Sequence, residues 1–227
     1  FEPDPALDPI YSSTVTIYVE EDRCLIATAA YGSEMNEKVQ FLRLFREKVI
    51  LSSMAGSQFM EAFNTFYYSF SPYVAQKISN NPILKTVTQV ILYPIISILQ
   101  ISSTAHQLFK LNIEAGVIIT GLIASTLIGV IYLTPVTWAL LIWGRRIGRF
   151  GRISVIRTME KLFLFILFSL AIMVIGIFYS FPSLLTVSSS AYVILNIIFS
   201  SITISLFMIY YLIPYIKNWL KLYPNYL

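Results

Sequence analysis

Charge is scarce in this chain. Of its 227 residues, 12% are Asp, Glu, Lys or Arg and 56% are hydrophobic. The mean hydropathy is +0.71. Soluble domains carry about 25% charged residues. So few charges cannot clothe a water-facing surface of this size, and the composition reads as that of a membrane protein. Cysteine is scarcer still. The single cysteine, Cys24, excludes an internal disulfide and any CxxC metal or redox motif. The single histidine, His106, excludes a His-based metal cluster and bis-His haem ligation within the chain. No metal or cofactor is expected.

The charge that is present is unevenly placed. Residues 1–37 carry eight acids and only Arg23 as a base, a net of −7, while the remainder nets +11. Most of the basic residues border apolar runs, where they act as topology signals. A nucleic-acid partner would need a basic face free of lipid, so none is expected.

Three regions follow from the pattern. Residues 1–23 are an extended acidic arm with Pro3, Pro5 and Pro9. Within it Val15, Ile17 and Val19 alternate with Thr14, Thr16 and Tyr18, which predicts a strand over Ser12–Val19. A lone strand is not stable, so this one is expected to pair with another chain.

Residues 24–110 turn helical after Gly32. Met35, Val39, Leu42, Phe45 and Val49 share one face, with Ser33 as N-cap. A second helix restarts at Gly56 and carries Phe59, Phe63, Phe66 and Phe70. Pro72 is expected to open a third, and Pro82, after Asn80 and Asn81, a fourth. Thr86–Phe109 is uncharged, but it contains Pro94 and many polar residues. It is expected to lie on or just above the membrane, with a crossing left open.

Residues 111–227 hold three firmer spans, at about 116–143, 162–181 and 191–216. Pro135 is expected to kink the first or end its regular part. Ser183–Ser190 is expected to be a polar turn, making the last two spans an antiparallel hairpin. The fold class is therefore an all-α integral membrane protein with three transmembrane helices, a fourth left open. A small helical extracytoplasmic module with one N-terminal strand precedes them. The loop between the first two spans carries Arg145, Arg146, Arg149, Arg152, Arg157 and Lys161. By the positive-inside rule this loop and the C-terminus are cytoplasmic in a multi-pass cell-membrane protein. The same topology puts Phe1 outside and leads us to expect a segment upstream of it. Glu114 and Glu160 flank spans and are expected to be solvated.

One stretch is motif-like: Cys24-Leu-Ile-Ala-Thr-Ala-Ala-Tyr-Gly-Ser33. Its alanines permit close backbone approach, and Gly32 suits a turn with positive φ. Together with Tyr31, Cys24 and Gly32 are the candidate motif residues. The stretch resembles the CFI-box C-terminal domain of archaeal and bacterial proteins, whose box reads Cys-Phe-Ile-Ala-Thr-Ala-Ala-Tyr-Gly-Ser. Leu25 departs from that pattern. The resemblance extends loosely to about residue 100. It implies an attachment or sorting module joined to a membrane region, and it implies no catalytic residue.

Cys24 reads as a small buried residue, with a covalent role outside the cell or a reactive thiolate as alternatives. The functional expectation is a non-catalytic membrane anchor or accessory subunit. Membrane lipids and other subunits of a membrane or cell-surface complex would be its partners. A Cys24-dependent processing or thiol enzyme, and a channel or transporter component, are the rival readings.

Overall fold

The computed structural model describes residues 24–108, 112–146 and 152–212. The arm and its expected strand, Val15, Ile17 and Val19 included, lie outside the described residues. Every regular element among the described residues is helical. The elements are α1 (Leu25–Tyr31), α2 (Glu37–Phe45), α3 (Met54–Ser79), α4 (Pro82–Leu108), α5 (Ile113–Ile128), α6 (Thr134–Arg146), α7 (Arg152–Tyr179) and α8 (Pro182–Phe207). A π turn, Arg46–Ile50, extends α2, and another, Gly129–Leu133, joins α5 to α6 as one continuous rod.

Four stretches are long and apolar enough to cross a membrane: Pro82–Gln107, Ile113–Gly144, Ile156–Tyr179 and Pro182–Leu212. The first of these covers most of Thr86–Phe109, whose crossing the sequence left open, and qualifies it as a candidate span by length and composition. Its hydroxyls are silenced within the helix: Ser97 Oγ donates to Tyr93 O, Ser102 Oγ to Ile98 O and Thr104 Oγ1 to Gln100 O. A hydroxyl satisfied by its own preceding turn costs little in an apolar setting.

Prolines misled in the same way. α3 runs unbroken through Pro72, and α4 through Pro94. A proline in a helix removes one backbone hydrogen bond. Buried Ser71 and Ile78 show that α3 keeps packing on both sides of Pro72, so tertiary contact outweighs the local loss. Pro135 does not end its helix either. The π turn lies just before it, where a wider backbone relieves the ring's crowding of the preceding turn.

The expected polar turn at Ser183–Ser190 is helical. Pro182 opens α8, and the link from α7 is only Ser180 and Phe181. Ser180 takes a positive φ of 53° there. α7 and α8 form the most extensive helix pair, as an antiparallel hairpin. The face of α8 against α5 and α6 is small and polar. Ser189, Asn196, Ser200, Ser201 and Ser205 are all buried. Small residues let helices approach closely where lipid supplies no hydrophobic drive. Gly129 marks the closest point, since a Cβ there would lie 2.1 Å from Ser200 Oγ and 2.3 Å from Ile197 O.

Contacts also fix the directions of the rods. Thr137 Oγ1 meets Ser205 Oγ at 2.7 Å, so α5–α6 and α8 run parallel. Thr120 Oγ1 meets Ser102 O at 3.5 Å, and Tyr132 bonds Ile91 O deeper in, so α4 runs antiparallel to them. The short Asn80-Asn81 link then ties the end of α3 to the start of α4. At its own start, Met54 N donates to Glu114 Oε1 (2.6 Å) beside the start of α5, while Gln58 meets Thr186 Oγ1 (2.8 Å) near the start of α8. At about 39 Å of rise, α3 therefore runs the length of the bundle, along the candidate spans.

Gly129→Ala is expected to lower thermal stability in detergent by about 1–3 kcal/mol, the usual cost of overpacking. Gly121→Ala, whose new Cβ meets nothing within 4 Å, should be neutral or stabilising. Equal melting of the two variants would show that the Gly129 contact is not tight.

Candidate functional site

The motif stretch becomes α1, and its composition explains its place. Ala27 and Ala30 are 4% and 2% exposed, wedged against α3 and α4. A larger side chain at either position would push the helix off. A seven-residue helix is too short to hold itself together, so its ends are held from outside. Cys24 flanks the start of α1 but makes no side-chain capping bond. Instead Ile26 N donates to Tyr67 Oη of α3 at 3.0 Å. At the other end Gln89 Nε2 of α4 donates to Ala30 O at 2.7 Å. Gly32 closes the helix with φ 80°, its N–H reaching Thr28 O, as the sequence led us to expect. Tyr31 is half-buried, with the Lys38 ammonium 5.0 Å from its ring centre.

Tyr67 is the residue that sequence reasoning missed. Tyr67 lies within an aromatic run, but only a partner 41 residues away distinguishes it from its neighbours.

α2 begins at Asn36, whose side chain accepts from Lys38 N at 3.0 Å. Ser33 Oγ accepts from Met35 N instead, so the expected Ser33 cap is displaced by three residues. Val39, Phe45 and Val49 of the expected apolar face are buried, whereas Met35 is 79% exposed ahead of the helix. Glu114 is not merely solvated. Its two carboxylate oxygens accept from Met54 N and Ala55 N (2.6 and 3.4 Å) at the start of α3. There a negative charge complements the helix dipole. Ser53 Oγ completes that cap by accepting from Gly56 N at 2.9 Å.

α1 to α5, with α7 and α8, border a cavity of about 470 Å³ that is open on one side. Cys24, Ile26 and Ala27 line one side, and Phe59, Met60 and Phe63 of α3 another. Leu92, Ile95 and Leu99 of α4 and Ile118, Gly121 and Ala124 of α5 complete the apolar wall. Polar residues of the lining are Arg46, Asn64, Tyr67 and Tyr68 on one side and Thr120, Ser125, Ser189 and Tyr192 on the other.

The cations expected from the sequence to set the topology are not among the residues that line this cavity. Arg145 and Arg146 end α6, Arg152 opens α7, and Arg157 and Lys161 are exposed on α7. Arg149 lies outside the described residues. Among the described residues no group of three or more His, Cys, Asp or Glu could hold a metal ion. No family model, curated protein or solved structure matches the chain.

Tyr67→Phe should cost about 1 kcal/mol or somewhat more, because it strands the Ile26 N–H. Equal melting temperatures of wild type and Tyr67→Phe in detergent would overturn this.

Proposed function

We propose that this chain is a non-catalytic accessory or anchoring subunit of a membrane complex. The observation that carries the proposal is the outer face of α3. This helix runs the length of the bundle, yet it is not among the four stretches apolar enough to cross alone. Phe63, Phe66, Phe70 and Tyr73 form an exposed stripe at helical spacing, beside exposed Glu61, Thr65 and Ser69. A surface that mixes large aromatics with a carboxylate suits neither water nor hydrocarbon. It suits a protein interface, where aromatic anchors sit among polar neighbours. The resemblance of the motif to the CFI box, an attachment module, supports the same reading. The way α1 is buried and held at both ends favours a structural role for the motif over a thiol enzyme.

The bundle also suggests an orientation. Lys77, Lys85, Arg157 and Lys161 sit near the same end as Arg145, Arg146 and Arg152. Glu114 and the Ser180-Phe181 link belong to the opposite end. The positive-inside rule places the basic end in the cytoplasm. In this arrangement residues 24–79 lie along the spans rather than as a separate module above them.

Phe66→Asp together with Tyr73→Asp should reduce co-purification of partners from mild detergent at least tenfold without reducing membrane insertion. Full recovery of the same partners would sink the α3 interface. For orientation, single cysteines are introduced on a Cys24→Ala background in intact cells. Ser183→Cys should react with an impermeant maleimide, and Ser79→Cys should not. Labelling at both would place residues 24–79 outside, and labelling at Ser79 alone would invert the protein.

A further inference from the structure

We propose that the cavity holds one hydrocarbon chain of a bilayer lipid, which enters sideways from the membrane. Its size falls within the roughly 300–1,000 Å³ of small-molecule sites, at about 470 Å³. Its depth distinguishes it from a site for a water-borne solute. Leu92, Ile95 and Leu99 lie well inside the candidate span Pro82–Gln107, and Ile118 and Ala124 well inside Ile113–Gly144. The walls therefore stand at hydrocarbon level, where lipid chains are the surrounding solvent. The lining is almost wholly carbon, which offers a polar ligand few of the hydrogen bonds it would lose on leaving water.

The way in is given by α3. Phe63 lines the cavity and is also 42% exposed, so it stands at the rim. Phe63 stacks on Phe59 inside (6.2 Å between ring centres) and on Tyr67 (5.6 Å). These rings form an apolar wall running inward from the surface. Of the polar residues in the lining, Thr120, Ser125 and Ser189 donate their hydroxyls within their own helices, to Gly116 O, Leu122 O and Leu185 O. Gly121 lies across the cavity. Its absent side chain leaves open space, since a Cβ there meets nothing within 4 Å.

The test uses the full chain in nanodiscs that contain a phosphatidylcholine with a diazirine in one acyl chain. Photolysis and peptide mapping should find adducts on the cavity segments around Phe59 and Ile118, as well as on outward-facing Phe168 and Ile175. Gly121→Phe should cut the cavity adducts at least fivefold and leave the outward adducts unchanged. The unchanged outward adducts also report that the variant is folded. Adducts confined to the outward residues in wild type overturn the proposal without any variant. So do cavity adducts that survive Gly121→Phe. Cavity labelling by diazirine palmitate but not by the phospholipid would overturn it in favour of a free fatty acid. Cross-links between cavity residues and segment 1–23, formed at the expense of lipid, would overturn it in favour of the chain's own arm.

Discussion

A backbone group at a helix end has to find a partner, and in an apolar bundle water cannot supply one. The arrangement of the first half of this protein depends on that constraint. α1 is too short to survive alone, and its two ends are satisfied by Tyr67 of α3 and Gln89 of α4. Because those partners come from different helices, α1 fixes the spacing between them. The start of α3 is satisfied in turn by Glu114 at the first turn of α5. Of these three long-range caps, those from Gln89 and Glu114 tie the N-terminal helices to the candidate spans, and that from Tyr67 joins α1 to α3. The cavity lies among the helices held apart in this way.

The second half is held by closeness instead. Around Gly129 the buried face of α8 carries serines and an asparagine rather than leucines, and most of their polar atoms bond within their own helix. The interface gains from dispersion at short range. Leu185, fully buried beneath Gly176, and Met173 anchor the apolar side of the same hairpin.

Much of the class of fold was legible in the sequence. Low charge and long apolar runs indicated a multi-pass helical protein, and Gly32 and Pro82 fell where turn and cap chemistry put them. What could not be read was tertiary. Pro72 and Pro94 carry a local signal for breaks, and packing of the flanking turns overrides it. The polar residues of α4 weighed against a candidate span because a sequence does not show that Ser97 and Ser102 bond their own backbone, although the helix is long and apolar enough to be one. Ser183–Ser190 looked like a turn for the same reason, although it is helical and Ser188 and Ser189 are buried in the bundle. At the cavity, the motif flagged Cys24 and the small residues beside it. Tyr67 and Gln89 were invisible because their roles exist only through contacts 41 and 59 residues away.

The π turn at Gly129–Leu133 holds one residue more than the helix around it requires. In an α-helix that residue would turn everything after it by about 100°, and the wider turn absorbs it. Thr134 and Thr137 therefore stay in line with Gly129, on the side of the rod that meets α8. Chain length at this point is thus free by one residue. One residue removed from the turn would leave an ordinary α-helix with both halves still facing their neighbours. One residue removed elsewhere in the rod would turn one half of it towards the wrong surroundings.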